Sequence, residues 1–324
     1  MKAHVIRQQR TRQHHAGFSL VELMIGMVLG MFIVGAILGL FVASKRTYND
    51  TERLAQLTES GRYGLAVLSD ELRSADFWGN AIQSADVRLA SNLDVIATDC
   101  SGDAAGYTLT SPITAVAATA GTVFDCITDA NLNSDVLITK HAASTTTVLA
   151  SLDANKTYLL SNAIVGVLFD GADTTPSVAN GGDVPNGQAW EYLATAFYVG
   201  NNGSTPTLFR KQLTGNTWSA AQEVATGVET LHVEFGEDTN SDGTADRYLD
   251  AASANWQHVV TAKIYLLVRT DEQDKAYVDG RTYTLGSQTI TPASSDHYHR
   301  SVYQTTVNLR NRYLHIAGDQ PVGG

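Results

Sequence analysis

Two kinds of apolar spacing divide the first quarter of this 324-residue chain. From Phe18 to Ala43 the sequence FSLVELMIGMVLGMFIVGAILGLFVA is apolar all round, and Glu22 is its single ionisable side chain. At 1.5 Å per residue this stretch makes roughly 39 Å of helix, more than the roughly 30 Å hydrocarbon core of a bilayer. After Ser44-Lys45-Arg46 the pattern narrows to a stripe. Leu54, Leu57, Gly61, Leu65, Leu68, Leu72 and Ala75 recur at steps of three and four, while Glu52, Arg53, Glu59, Arg62, Asp70, Glu71 and Arg73 lie mostly off it. The spacing predicts one long helix from about Phe18 to about Ala75, its first half in an apolar medium and its second half laid against a globular domain.

After Trp78-Gly79 the texture changes to Ser, Thr, Ala and Asp with short β-prone runs at 135–139, 190–199, 207–213, 228–235, 259–269 and 303–309. In the run Val259–Arg269, Val260, Ala262, Ile264, Leu266 and Val268 alternate with Lys263, Tyr265, Leu267 and Arg269, which predicts a half-buried strand. Turn clusters at Gly200-Asn201-Asn202-Gly203 and Gly215-Asn216 predict hairpins. The expected class is α+β, a helix followed by an antiparallel sheet. Residues of about 86–189 are rich in Gly, Thr and Ala and are expected to be loops or an elaboration of that sheet.

Charge changes the picture at the N-terminus. The chain carries 22 Lys+Arg against 33 Asp+Glu, a formal −11, but residues 1–17 hold Lys2, Arg7, Arg10 and Arg12 and no acid. Removing that segment would take the charge from −11 to −15. Basic residues ahead of the apolar run place residues 1–17 in the cytoplasm and the remainder across the membrane. The acidic bulk excludes a protein whose main task is gripping phosphates, so no direct nucleic-acid partner is expected. Glu22 is the anomaly: near mid-membrane a carboxylate costs roughly 2.5–3.5 kcal/mol, less near a helix end. It is either a carboxylate reaching the interface or one that meets a cation, which the new α-amino group of Phe18 would supply after a cut at Gly17.

The stretch Gly17-Phe18-Ser19-Leu20-Val21-Glu22-Leu23, behind its basic leader, resembles the class III signal of type IV pilins and type II secretion pseudopilins. The resemblance implies cleavage after Gly17 by prepilin peptidase, N-methylation of Phe18, and pairing of Glu22 with a neighbouring subunit's amine during assembly. Gly26, Gly30, Gly35 and Gly39 form two G-x-x-x-G spacings, which fit either ordinary glycine tolerance in membrane helices or close helix packing.

Further along, Gly61-Arg62-Tyr63-Gly64-Leu65 through Leu72-Arg73-Ser74-Ala75, Gly227-Val228-Glu229, Phe235-Gly236, Trp256 and Thr305-Thr306-Val307-Asn308-Leu309-Arg310-Asn311 resemble the PilW family of minor pilins. That likeness implies a structural subunit which helps initiate type IV pilus assembly at or near the tip. The implied partners are other minor pilins, the major pilin, a tip adhesin, the inner-membrane assembly platform and prepilin peptidase. The implied location is the inner membrane with a single span and a periplasmic head, then the pilus fibre. The organisation expected is a leader at 1–17, a transmembrane or filament-core half-helix at 18–43, an amphipathic half at 44–78, a β-rich head at 79–313 with a variable insertion at about 86–189, and a tail at 314–324. A type II secretion pseudopilin is the second reading. A membrane-anchored periplasmic binding protein or enzyme is the third.

Cys100 and Cys126 are the only cysteines, and in an oxidising compartment they are expected to form one disulfide, two free thiols being the alternative. In Gly236–Tyr248, Asp238, Asn240, Asp242 and Asp246 alternate around Gly243, as a Ca²⁺-binding turn requires, although Leu249 stands where an EF-hand needs Glu. A Ca²⁺-clamped turn and a solvated acidic turn both fit; no cofactor is otherwise required. Asp296-His297-Tyr298-His299 is expected to be solvated. With no G-x-S-x-G, H-E-x-x-H or Walker sequence, no enzyme is expected.

Overall fold

The computed structural model describes residue 17 and residues 19–81 and 83–312. The chain divides into two compact units, Met1–Glu52 and Arg53–Gly324. Helix α1 (Leu20–Ser74) runs from the first into the second. The leader before Gly17, Phe18 and the expected tail fall outside the described residues.

In the second unit the large sheet contains β1 (Val87–Leu89), β2 (Ile113–Ala117), β3 (Asp135–Thr147), β4 (Thr157–Ser161), β5 (Gly166–Asp170), β6 (Gln188–Asn202), β7 (Thr205–Thr214), β8 (Thr217–Trp218) and β9 (Gln222–Thr226). A four-stranded sheet contains β10 (Val228–Glu237), β11 (Arg247–Asp250) and β12 (Val259–Arg269); a hairpin of β13 (Tyr283–Leu285) and β14 (Gln288–Ile290) follows, and β15 (Arg300–Asn308) completes that sheet in the order β11-β10-β12-β15. Among the described residues the large sheet is nine-stranded, with β6 pairing β3, β4 and β7. The antiparallel expectation fails at one edge, where β1 and β5 are parallel. The variable middle region is therefore an extension of the sheet: five strands precede β6, and loops connect them.

The apolar stripe of α1 becomes core in the second unit. Leu57, Leu68, Leu72 and Ala75 pack with Leu137, Phe197 and Leu208 of the large sheet and with Leu231, Ile264, Leu266 and Val307 of the smaller one. The stripe is shorter than its spacing predicts, because Leu54 is 58% exposed and packing begins at Leu57. Gly61 and Gly64 let the helix approach closely. A Cβ at Gly61 would enter the Tyr303 ring, and one at Gly64 would stand 2.9 Å from Leu266 Cδ1. The helix stops where Asp76 takes a left-handed φ of 66°. Asn311 then caps its C-terminus, donating from Nδ2 to the carbonyls of Arg73, Ser74 and Ala75 at 3.2, 3.3 and 3.0 Å.

Alternation in β3 and β6 divides two cores. Leu137, Phe197 and Val199 face the helix; Val136, Ile138, Ala196 and Tyr198 face a second cluster that includes Cys100 and Cys126. The half-burial expected for β12 is corrected: its other face is covered as well, since Tyr265 and Leu267 pack with Tyr283 and Leu285 of the hairpin. A period of two marks a change of face, but it does not show what a distant hairpin covers.

Lys140, on β3, is fully buried, and its Nζ donates to the carbonyls of Asp103 and Thr108 at 2.7 and 2.9 Å, holding the 102–114 segment to the sheet. Burial lowers its pKa from 10.5 to about 8, against the smaller opposing pull of Asp99 and Asp103. A lysine more acidic in the folded than in the unfolded chain binds fewer protons when folded. Its contribution to stability therefore rises as pH climbs from about 8 to about 10.5, by at most ~3 kcal/mol. Urea unfolding across that window is expected to show this slope in the wild-type protein relative to Lys140→Met; parallel curves would contradict it.

Candidate functional site

The first turn of α1 is built around Glu22. The Ser19 amide donates to Glu22 Oε2 at 3.0 Å, and the Glu22 amide donates to Ser19 Oγ at 3.2 Å, while Leu23 N–H closes the first helical bond to Ser19 O at 3.1 Å. This reciprocal S-x-x-E arrangement is a capping box, which satisfies two amides that a helix start leaves without partners. It also holds the carboxylate at the positive end of the helix dipole. Glu22 is thus oriented by the residue three positions earlier, one step after the Gly17-Phe18 junction. Gly17 is exposed, and Phe18 lies outside the described residues. The S-x-x-E spacing of Ser19 to Glu22 is the sequence signal that identifies the box.

After this turn come the apolar side chains of the first unit, which are exposed from Leu20 through Val42 and form a helix long and apolar enough to cross a membrane. A Cβ at Gly26, Gly30, Gly35 or Gly39 would meet nothing within 4 Å. No packing within the chain therefore requires glycine there.

In the second unit Cys100 and Cys126 form a disulfide with Cα atoms 4.7 Å apart. It lies in the core behind β3 and β6 with Ala104, Val123, Ile127 and Phe209. Closing a loop with a sequence separation of 26 residues contributes about 3.5 kcal/mol in the chain-entropy picture.

In the acidic turn, Asp238 is buried and aims both oxygens at its own backbone. Its Oδ1 accepts from the amides of Asn240, Ser241 and Asp242 at 3.2, 2.6 and 3.2 Å, and its Oδ2 from Gly243 at 2.7 Å. Asp246 Oδ2 accepts from the Thr239 amide and hydroxyl, and Asn240 Nδ2 donates to Asp242 and Asp246 at 3.2 and 3.3 Å. The four residues share one turn. Asp238 is engaged in shaping it, and Asp242 and Asp246 also accept hydrogen bonds within the turn, Asp242 Oδ1 from the Thr244 amide and hydroxyl.

The expectation that Asp296-His297-Tyr298-His299 is solvated is corrected. His299 stacks on Tyr277 with ring centroids 3.9 Å apart and places Nε2 3.2 Å from Asp274 Oδ2, while His297 Nδ1 bonds the Tyr277 carbonyl. Asp296 belongs to a buried hub around Arg300. That guanidinium directs Nε and Nη2 to Glu229 at 2.6 and 3.0 Å, Nη1 to Asp279 at 3.0 Å, and Nη1 and Nη2 to Asp296 at 2.8 and 2.9 Å. All five N–H donors are used on three carboxylates. Burial would raise the pKa of Asp279, yet the Tyr283, Arg300 and backbone donors hold it below the usual carboxylate range. The Asp296 carboxyl is likewise held low by Arg300. Spacing in the sequence does not reveal this hub, because its members at 229, 279, 296 and 300 are joined only by the fold.

Residues 196–311 match the family model described as Type IV Pilus-assembly protein W, and residues 12–38 match the prokaryotic N-terminal methylation motif. No curated protein gives a significant match. Among solved structures, a type IV-like pilin from Thermus thermophilus aligns over 79% of this chain and 98% of its own at 12% identity and a TM-score of 0.36. The methylation motif covers the capping box and most of the apolar run. The assembly-protein match covers β7, both hairpin strands, the four-stranded sheet and the Arg300 hub. The chain is thus similar to type IV pilus-assembly protein W over its C-terminal third and carries the N-terminal methylation motif of pilins at its start.

Proposed function

We propose that this pilin subunit helps initiate type IV pilus assembly and sits at or near the pilus tip. The observation that carries the reading is Glu22, an acid at the start of an exposed apolar helix, oriented by Ser19 and placed just after Gly17-Phe18 within the methylation motif. Gly17 is the cleavage residue, and Phe18 becomes the methylated amino terminus. Glu22 then meets the α-amino group of a neighbouring subunit as the apolar helix leaves lipid for the filament core. Opposite charges approaching in an apolar medium attract far more strongly than in water, which gives the step direction and register.

The second unit supports a structural role. It pairs the buried guanidinium of Arg300 with three carboxylates and holds one of its cores with a disulfide. Other minor pilins, the major pilin, a tip adhesin and the inner-membrane platform are the partners in this reading, with the head periplasmic before assembly. The turn that holds Asp238, Asn240, Asp242 and Asp246 is a candidate Ca²⁺ contact on the head, one in which the ion would have to replace hydrogen bonds these oxygens now accept.

Immunogold labelling of sheared pili tests the position. Labelling confined to fibre ends, with few fibres when the gene is deleted, is the expected result. Labelling spaced along whole fibres, or normal fibre numbers without the protein, would contradict it.

A further inference from the structure

His232 and Glu234 are two residues apart on β10, so their side chains leave the same face of the sheet. Asp250, the last residue of β11, stands directly opposite Glu234 in the antiparallel ladder. Two acids facing each other across strands repel, and Glu234 is only 7% exposed. The turn of the β13–β14 hairpin closes over them. Gly286, at a φ of 59°, presses so near the Glu234 carboxylate that a Cβ would collide with it, and the next residue, Ser287, donates its amide to Glu234 Oε1 at 2.7 Å.

The histidine is oriented from behind. Asp135 Oδ2 accepts from His232 Nδ1–H at 3.0 Å and from the Val233 amide at 2.8 Å. That bond turns Nε2 toward Asp250 Oδ1 at 3.4 Å and Ser287 Oγ at 3.3 Å. The Ser287 hydroxyl proton is committed to Asp250, to which it donates at 2.6 Å. Nε2 therefore faces oxygen lone pairs, and this arrangement requires something positive at that nitrogen, either a proton or a metal ion.

Further observations favour the metal. One donor atom from each of His232, Glu234 and Asp250 lies within 4.8 Å of the others. The 3.4 Å between Nε2 and Asp250 Oδ1 matches the edge of a tetrahedron with zinc bonds of about 2.0–2.1 Å, which is roughly 3.4 Å. A carboxylate behind the imidazole, here Asp135, is the arrangement that fixes metal-ligating histidines, and the Tyr265 hydroxyl holds Glu234 Oε2 in a similar way at 3.0 Å. Lys263 is the nearby alternative source of positive charge, but it lies over the Tyr248 and Tyr265 rings, 5.4 and 5.3 Å from their centroids.

We infer that His232 Nε2, Glu234 and Asp250 form a binding site for a divalent transition-metal ion of the zinc type, open to solvent beside Asp250. The Asp250 side chain is 52% exposed, which leaves an entry path and room for water as the fourth ligand. A bound ion would join β10 to β11 beneath the hairpin.

The test uses the full chain in detergent, stripped with EDTA and titrated with Zn²⁺ against a chromophoric chelator. One equivalent is expected to bind with micromolar affinity or better, and a hundredfold excess over Kd should raise the unfolding midpoint by about 5 °C. Asp250→Asn keeps an acceptor for Ser287, so it should leave the EDTA-treated midpoint unchanged while weakening Zn²⁺ binding at least about tenfold. Co²⁺ loading of the wild-type protein provides a readout that needs no variant, a tetrahedral visible absorption displaced by Zn²⁺. Absence of stoichiometric Zn²⁺, affinity unchanged in Asp250→Asn, or displacement of bound Co²⁺ by Ca²⁺ as readily as by Zn²⁺ would each overturn the site and leave His232 as a protonated partner of its acids.

Discussion

Glu22→Ala, expressed as the sole copy, is expected to remove this subunit from sheared pili while leaving its amount in the membrane undiminished. The two readouts move apart because the substitution acts on them with opposite sign. Insertion becomes easier, since it relieves part of the roughly 2.5–3.5 kcal/mol that an acid costs at mid-membrane. Assembly loses an ion pair worth about 4 kcal/mol at 4 Å and an effective dielectric constant of about 20, or roughly a thousandfold in association. The alanine also breaks the capping box with Ser19, an effect of about 0.5–2 kcal/mol on the helix start. Glu22→Gln separates the two losses: it retains the box, because glutamine serves at that position, and removes only the charge. It should fail to incorporate almost as completely as alanine. Wild-type recovery of Glu22→Gln in pili would show that the capping geometry matters and the charge does not.

Arg300→Ala is expected to destabilise the second unit by about 3–5 kcal/mol, because it leaves Glu229, Asp279 and Asp296 facing one another without their shared cation. For a chain of this size the unfolding midpoint should fall by roughly 10 °C in calorimetry of the detergent-solubilised protein. Arg300→Lys should recover little, since one ammonium cannot satisfy three carboxylates with five planar donors. The pH profile gives a second signature. Asp279 and Asp296 have folded pKa values below the unfolded range, so their stabilisation is present above the unfolded value and is lost as pH falls through the folded one. The wild-type protein should therefore resist acid to a lower pH than Arg300→Ala. Coincident melting curves for the two proteins would contradict the role of the hub.

Features with a short period in the chain were legible before the fold was known. The expected helix from about Phe18 to about Ala75 is found at Leu20–Ser74, and the six β-prone runs lie in β3, β6, β7, β10, β12 and β15. Their spacing is local, and helix and strand each impose their own repeat on it. Leu54 shows the limit of this reading: it continues the stripe in register, but the sheets beneath the helix do not reach that far. β12 shows the converse, a strand whose second face is buried by a hairpin that follows it in the chain. The disulfide was legible, because two cysteines in an oxidising compartment have only each other to pair with. The Arg300 hub and the His232–Glu234–Asp250 group were not legible, because they depend on strand register and on turns that return from far along the chain. Ser19 was legible and was missed, because the glycine, aromatic and acid around it carry the family resemblance without it.

Whether this chain is processed and assembled as a pilin can be read from intact mass and N-terminal analysis of the protein from membranes. In cells with active prepilin peptidase a mature chain that begins at N-methylated Phe18 is expected, replaced by the longer chain when the peptidase is inactive. The same uncut, unmethylated chain in both would contradict it and reduce residues 18–43 to a plain membrane anchor.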